Sequence, residues 1–441
     1  MRSRALTTED GSVRAESPSF GELVRVFGRI GVLSFGGPAG QIALMHRVLV
    51  DEEKWVDEKS YLGALNFCML LPGPEAMQLA TWVGWRLHGV AGGLAAGLLF
   101  VLPGAAVMLA LSLVYALAGN VPLVAALFVG IKAAVLAIVI EALFRVARRA
   151  LSGPVDWVIA AGAFVGIFFL ALPFPVIVLA AAIVGYLRAA SPTGQPPTPG
   201  VPVPLTQTVR TVTIWLAVWL VPLVLLTAVV GVDHVLARLA WFFSVLAVVT
   251  FGGAYAVLAY MAQEVVQQYG WLTAGEMLDG LGLAETTPGP LILVTQFVGF
   301  LAAFRHDGEP AIVVGVLGAV VTLWATFAPC FLWIFAGAPY LAQVSAAPRL
   351  KSALAAVTAS VVGVILNLSV WFALHVLFRT VDQITAGPLQ LHVPRLATLD
   401  PVVAVLAVFA ALALFVAKRG MLVTLAACAA LGLAAHAAGL A

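Results

Sequence analysis

Long apolar runs separated by short polar breaks fill the chain from about residue 20 to its end. Runs of about 17–25 apolar residues have the length of a bilayer-crossing helix. The pattern predicts such spans near 20–48, 61–88, 90–117, 121–144, 155–171, 174–187, 210–231, 235–263, 274–303, 310–335, 350–378, 397–416 and 421–439. Taken one run to one crossing, that is 13 transmembrane segments. Some runs are interrupted. Phe35-Gly36-Gly37-Pro38 breaks the first, and Leu71-Pro72-Gly73-Pro74 breaks the second. Proline lacks an amide hydrogen and clashes with the preceding turn, yet it suits the first position of a new helix. One helix therefore ends near Leu71 and another starts near Pro74. The two pieces form either one broken crossing or a re-entrant hairpin. In a bilayer, such a break must be buried in protein or line a cavity.

The breaks recur. Pro288-Gly289-Pro290 lies 216 residues after Pro72-Gly73-Pro74, and Phe251-Gly252-Gly253 lies 216 after Phe35-Gly36-Gly37. Met45 and Trp55 match Met261 and Trp271 at the same offset. Beyond an insertion near Phe304–Pro310 the offset is 226, and Pro103 then matches Pro329. Several rare residues in register indicate an internal duplication. Broken helices at matching places in two halves point to a transport site.

Charge sets the orientation. The N-terminal stretch, Arg145–Arg149, Arg188–Arg210, Arg349/Lys351 and Lys418/Arg419 form the basic clusters, which read as cytoplasmic. Seven predicted crossings separate the starts of the two repeats, an odd number, so the repeats have opposite orientation. The expected architecture is all-α and polytopic, with two homologous halves as an inverted repeat. Its parts are a disordered cytoplasmic tail (1–19), a first repeat (20–188), a Pro-rich linker (189–209), an extra transmembrane segment (210–234), a second repeat (235–415) and a C-terminal segment (416–441).

Composition agrees. Of 441 residues, 62% are hydrophobic and 10% charged, with mean hydropathy +1.06, outside the soluble globular range. A net charge of +2 gives no case for nucleic acid. Cys68, Cys330 and Cys428 are dispersed, with no CxxC, and read as small buried hydrophobes. No HExxH, Walker A or GxSxG pattern occurs, so neither a metal, a cofactor nor an enzyme is expected.

The candidate chemistry gathers at the breaks. A helix that starts after a break offers unpaired amides and the positive end of its dipole, an anion site. Gly36, Gly37, Pro72, Gly73, Pro74, Gly252, Gly253, Pro288, Gly289 and Pro290 are the backbone candidates for holding an oxyanion. Gln78, one turn into the new helix, can hydrogen-bond it. Thr286 and Thr287 precede the second break and can cap or donate. Lys132 lies mid-span with apolar flanks, where a charge is functional by default. It either binds substrate or pairs with a carboxylate such as Glu75. Glu75 is the leading proton carrier, because a carboxyl out of water holds a proton more readily. Glu285 is the second. Ordinary interhelical bonding competes as the role of Gln78 and Glu285. Arg25 and Arg29 share a face with Glu22 and read as interfacial. The small-residue stretch Gly89–Gly97 can pack spans within one chain or between two copies, so a homodimer is one expected partner.

Three stretches, Ser34–His46 (SFGGPAGQIALMH), Glu52–Tyr61 (EEKWVDEKSY) and Leu70–Trp85 (LLPGPEAMQLATWVGW), resemble the chromate ion transporter family in its long, two-domain form. Shorter matches follow at Thr250–Ala254, Gly270–Leu272 and Thr287–Leu291. The second half departs from the first at Glu75, where Leu291 stands, and at Gln78. The resemblance implies a secondary transporter that exports chromate across the bacterial inner membrane, driven by the proton gradient, with sulfate as competitor. From the residues alone, a passive anion channel stays open beside the carrier, and a lipid-acting enzyme has no visible nucleophile or metal cluster.

Overall fold

The computed structural model describes residues 18–440 apart from Asn120 and 190–203, 250, 252–253, 307–310 and 342–346. Most of the expected tail and linker, and Gly252 and Gly253, lie outside the described residues. The described chain is helical except for one β-hairpin.

The first half opens with α1 (Phe20–Leu33), capped by Ser19, whose hydroxyl accepts the Glu22 amide while the Glu22 carboxylate accepts from Ser19. After the glycine break come α2 (Gly37–His46), a π turn (Arg47–Glu52) and α3 (Glu58–Cys68). The helix α4 (Glu75–Ala118) reverses at His88–Gly89, so it has two limbs, 75–87 and 90–118. Then follow α5 (Pro122–Ala150), α6 (Pro154–Phe168) and α7 (Phe174–Arg188). After α8 (Leu205–Val230), a comparable series runs again. It comprises α9 (Val235–Val249), α10 (Ala254–Gln263) with a π turn (Glu264–Gln268), α11 (Ala274–Thr286), α12 (Val294–Phe304), α13 (Ile312–Gly337) and α14 (Pro348–Leu377). It ends with α15 (Pro401–Ala411) and α16 (Met421–Ala437). The correspondence reaches small details. Trp55 and Trp271 each donate a backbone N–H to the carbonyl six residues back, Leu49 and Val265, both at 2.9 Å.

The chain turns back at its breaks instead of continuing straight. Asp57, the N-cap of α3, lies 3.7 Å from Arg86 at the end of the first limb of α4. These two pieces therefore form a hairpin with its tip at Pro72–Pro74. At the other end of the molecule Glu276, in the first turn of α11, meets Arg305 just past α12 at 2.7 Å. That is a second hairpin, with its tip at Pro288–Pro290. The tips need a left-handed glycine, and Gly73 (φ +105°) and Gly289 (φ +88°) supply it. The glycine break folds α2 back as well, since the Tyr61 hydroxyl donates to the Ile42 carbonyl and His46 meets Glu58.

The second limb of α4 shows that the hairpins enter from opposite ends. Its start packs on the first limb through Gly84 and Gly92, beside the Asp57–Arg86 contact. Near its finish, the Tyr115 hydroxyl bonds Asp279 of α11 at 2.8 Å. We call these the near end and the far end.

Among the described residues five helices are long and apolar enough to cross a bilayer: α4, α5, α8, α13 and α14. The expected spans 20–48, 61–88, 235–263 and 274–303 are each two short helices. The count of 13 takes each run as one crossing, and at these four places the run holds two helices. The all-α expectation holds, with one addition. Strands β1 (Val381–Ala386) and β2 (Leu389–Pro394) pair antiparallel between α14 and α15, and the Gln390 amide binds the Phe169 carbonyl. The three cysteines are buried and unpaired, as expected.

Small residues let the halves meet. Gly93 and Gly97 lie under Phe335 and Phe331 of α13, and Gly92 lies against Gly84, so this stretch is used within the chain. Gly104 is tighter still: an added Cβ would stand 2.0 Å from the Pro288 carbonyl oxygen, a backbone atom. Gly104→Ala is therefore expected to cost roughly 1–3 kcal/mol or more through overpacking. A thermal melt in detergent reads it. An unchanged midpoint would mean that the second hairpin does not press on α4.

Candidate functional site

A cavity of about 470 Å³ lies at the tip of the first hairpin. One wall is the break itself, from Met69 to Gly73 and on to Glu75. Asn66 of α3, Arg149 of α5, Phe251, and Lys351 and Thr358 of α14 complete the polar part of the lining. Arg149 and Lys351 are exposed at the rim, and among the described residues neither pairs with a carboxylate. Arg149 reaches the Met69 sulfur at 3.4 Å. Glu75 is half-buried, with Oε2 sealed from solvent and without a hydrogen-bond partner. Two unpaired cations, hydroxyl and amide side chains, and a helix N-terminus make a concave surface suited to an anion that offers only acceptors.

Gln78 is buried behind this wall. Its Nε2 donates to the Pro72 carbonyl at 2.6 Å, which pins the tip, while its Oε1 has no partner. It reaches the break but is not in the lining. Pro72 and Pro74 flank Gly73 and are buried.

The second break is closed. The Gly289 N–H donates to the Ser34 carbonyl at 2.8 Å, and Gln41 Nε2 donates to the Gly289 carbonyl at 2.5 Å. The hydroxyls of Thr286 and Thr287 both turn back onto the Leu283 carbonyl. These groups satisfy one another, so Pro288, Gly289 and Pro290 do not present the free donors that the sequence suggested. The breaks pair crosswise. Gly289 meets the Ser34–Gly37 break, and the Phe251 break faces Gly73 across the cavity.

Gly37 and Glu285 come together away from the cavity. A Cβ on Gly37 would lie 4.0 Å from Glu285 Oε2 and 3.9 Å from the Tyr255 hydroxyl. Tyr255 donates to Glu285 Oε1 at 3.4 Å, and Oε2 is buried and unpartnered. Gly36 shapes the same turn with φ +91°. Along α5, Glu141, Arg145 and Arg149 stand four residues apart, and Glu141 and Arg145 form an ion pair at 2.5 Å. This charged stripe ends at the cavity rim.

Lys132 stands apart from the cavity lining and from Glu75. Its ammonium lies 3.3 Å from Asp279. Asp279, Arg149, Lys351, Asn66 and Tyr255 were not singled out for a site in the sequence. Arg149 and Lys351 read there as topology markers, and Asp279 sits in a helix with three other carboxyl or hydroxyl neighbours that hide its role. Arg29 pairs with the exposed Glu52, an interfacial contact.

The family model described as "Chromate transporter" matches residues 21–186 and 237–433. A chromate transport protein of Pseudomonas aeruginosa is 33% identical over 367 residues, which cover 81% of this chain and 82% of that one. A chromate transport protein of Cupriavidus metallidurans is 28% identical over 369 residues, 81% of this chain and 84% of its own. A probable chromate transport protein of Synechococcus elongatus is 29% identical over 368 residues, 79% and 83% respectively. No solved structure matches the chain.

Proposed function

The chain belongs to the chromate transporter family, and from that premise we propose that it is a secondary transporter exporting chromate through the near-end cavity. The observation that carries this reading is the pair Arg149 and Lys351, two cations without carboxylate partners among the described residues, at the rim of a cavity on a helix N-terminus. Chromate is a tetrahedral oxyanion with acceptors only, and sulfate has the same shape and charge.

The near end carries the Arg145–Arg149, Arg188 and Arg349–Lys351 clusters, and by the excess of Lys and Arg in cytoplasmic loops we read it as the cytoplasmic side of a bacterial inner membrane. The cavity then faces the compartment from which chromate is removed. Glu75 is the proton-carrying group of this proposal, and Glu285, beside Tyr255, its second. The two halves are read as an inverted repeat. Support comes from hairpins entering at opposite ends, and from the three long helices α4, α5 and α8 between the starts of the two series. The first unit is 20–188. The second begins at 235, and α15 and α16 extend it beyond 415, because they lie on α5 as α6 and α7 lie on α14.

Chromate uptake into inside-out vesicles tests the reading. Expected is uptake that grows with an imposed pH gradient and is reduced by sulfate. Uptake that only runs downhill would make the protein a channel. No uptake would remove chromate as its substrate.

A further inference from the structure

The far end holds a counterpart of the cavity that is filled from within. The repeat offsets match Asp279 to Gly63 and Lys132 to Thr358, and both Gly63 and Thr358 line the near-end cavity. At the far end, Lys132 Nζ of α5 lies 3.3 Å from Asp279 Oδ2. The Tyr115 hydroxyl of α4 donates to the same oxygen at 2.8 Å. Two donors from two helices therefore converge on one anionic oxygen. Asp279 is 3% exposed, and its Oδ1 is buried without a partner. Buried polar atoms are rarely left so, and an orphan oxygen in a native core calls for an explanation. The start of α11 is pressed close as well, since a Cβ on Gly275 would stand 3.2 Å from Lys132 Nζ. The neighbouring carboxylate does not compete for the lysine: Glu276 is held by Arg305 at 2.7 Å and by the Thr273 amide at 2.9 Å.

We propose that Lys132 and Tyr115 form a second oxyanion site at the far end, occupied in this conformation by the Asp279 carboxylate as a tethered stand-in. The proposal rests on the reading of the near-end cavity as the first oxyanion site, because the correspondence is drawn to that cavity. The single carboxylate takes the two donors, Lys132 Nζ and the Tyr115 hydroxyl, that an oxyanion would use. The far end is thereby kept shut to small anions while the near end is open. A substrate arriving from the near side has its next cation already in place, on the helix whose other end carries Arg149.

Sulfate binding to the purified full-length protein, followed by titration calorimetry, counts the sites. Expected are one sulfate per chain for the native protein and two for Asp279→Asn. Lys132→Gln added to that variant should return the count to one. Asp279→Ser, smaller and equally neutral, carries the same expectation if the amide variant does not fold. Two neutral variants that still bind one sulfate would overturn the proposal. The premise is tested separately with Arg149→Gln and Lys351→Gln in the Asp279→Asn background. One remaining sulfate is the expected result. If the native protein binds none, the near-end reading fails, while a gain of one on neutralising Asp279 still upholds the far-end site.

Discussion

Glu75→Gln is expected to abolish the pH dependence of oxyanion binding at the cavity while leaving downhill chromate movement measurable. The carboxyl faces the cavity, and no cation lies within ion-pair distance of it among the described residues. When ionised it sets a negative charge against an incoming dianion. A unit-charge repulsion is worth about 4 kcal/mol at 4 Å with an effective dielectric of about 20, and about half that at twice the distance. Even the smaller figure is roughly a 30-fold difference in affinity between the two protonation states. The sign follows directly. In the native protein, sulfate affinity falls as pH rises through the titration of Glu75, because the anion prefers the protonated form. In Glu75→Gln the affinity keeps its low-pH value throughout. Sulfate is the appropriate probe because it stays a dianion over that range. A Gln variant whose pH profile still parallels the native one would move the proton to another group, with Glu285 the next to replace.

The double variant Arg149→Gln/Lys351→Gln is expected to raise the half-saturating chromate concentration by about 10- to 100-fold, with each single change giving part of it. A charged hydrogen bond contributes about 1.5–3 kcal/mol, and less at an exposed rim, so about 1 kcal/mol for each cation is a fair allowance. Among the described residues neither side chain forms an ion pair with a carboxylate, so the fold is expected to stand without them. The loss should appear in the concentration dependence of uptake and not in the amount of protein in the membrane. It should also shrink at high salt, since exposed charges are screened. Lys418→Gln, outside the cavity lining, is the matched control. An unchanged half-saturation in the double variant would place the anion elsewhere in the fold.

Where a helix must stop could be read from the chain, since Pro72-Gly73-Pro74 and Pro288-Gly289-Pro290 stop it by local chemistry. The offsets of 216 and 226 made the two comparable series of helices legible for the same reason. Which way the chain leaves a break was not legible. The reversal is set by contacts such as Asp57–Arg86 and Glu276–Arg305, made between pieces whose own sequences fit either path. Glu75 announced itself by its place in the first turn after a break. Arg149 and Lys351 did not, because a cation near a helix end looks the same whether it meets solvent or a cavity. Lys132 was conspicuous, but its partner was not. Four side chains in α11, Glu276, Asp279, Glu285 and Thr286, could have answered it, and only packing against α5 selects Asp279. The β-hairpin is signalled by Gly387-Pro388, a turn pair between two short runs of mixed polarity. Ser34 and Gln41 carry no sequence signal for their role, since their partner is a backbone 248 and more residues away.

The half-length of the hairpins has an electrical meaning. The α3 helix has 11 residues, and at about 1.5 Å per residue such a limb is roughly 17 Å long, about half of a ~30 Å hydrocarbon core. If the near end faces the cytoplasm, as proposed, an anion that reaches Gly73 has already crossed about half of the membrane voltage. Each charge carried across the whole field is worth about 2.3 kcal/mol per 100 mV, so a dianion gains about that amount on arriving at the tip. On that orientation, polarisation of the cell, inside negative, favours filling of the site before any conformational change. The resting voltage acts first as a contribution to affinity, and only afterwards as a force on transport.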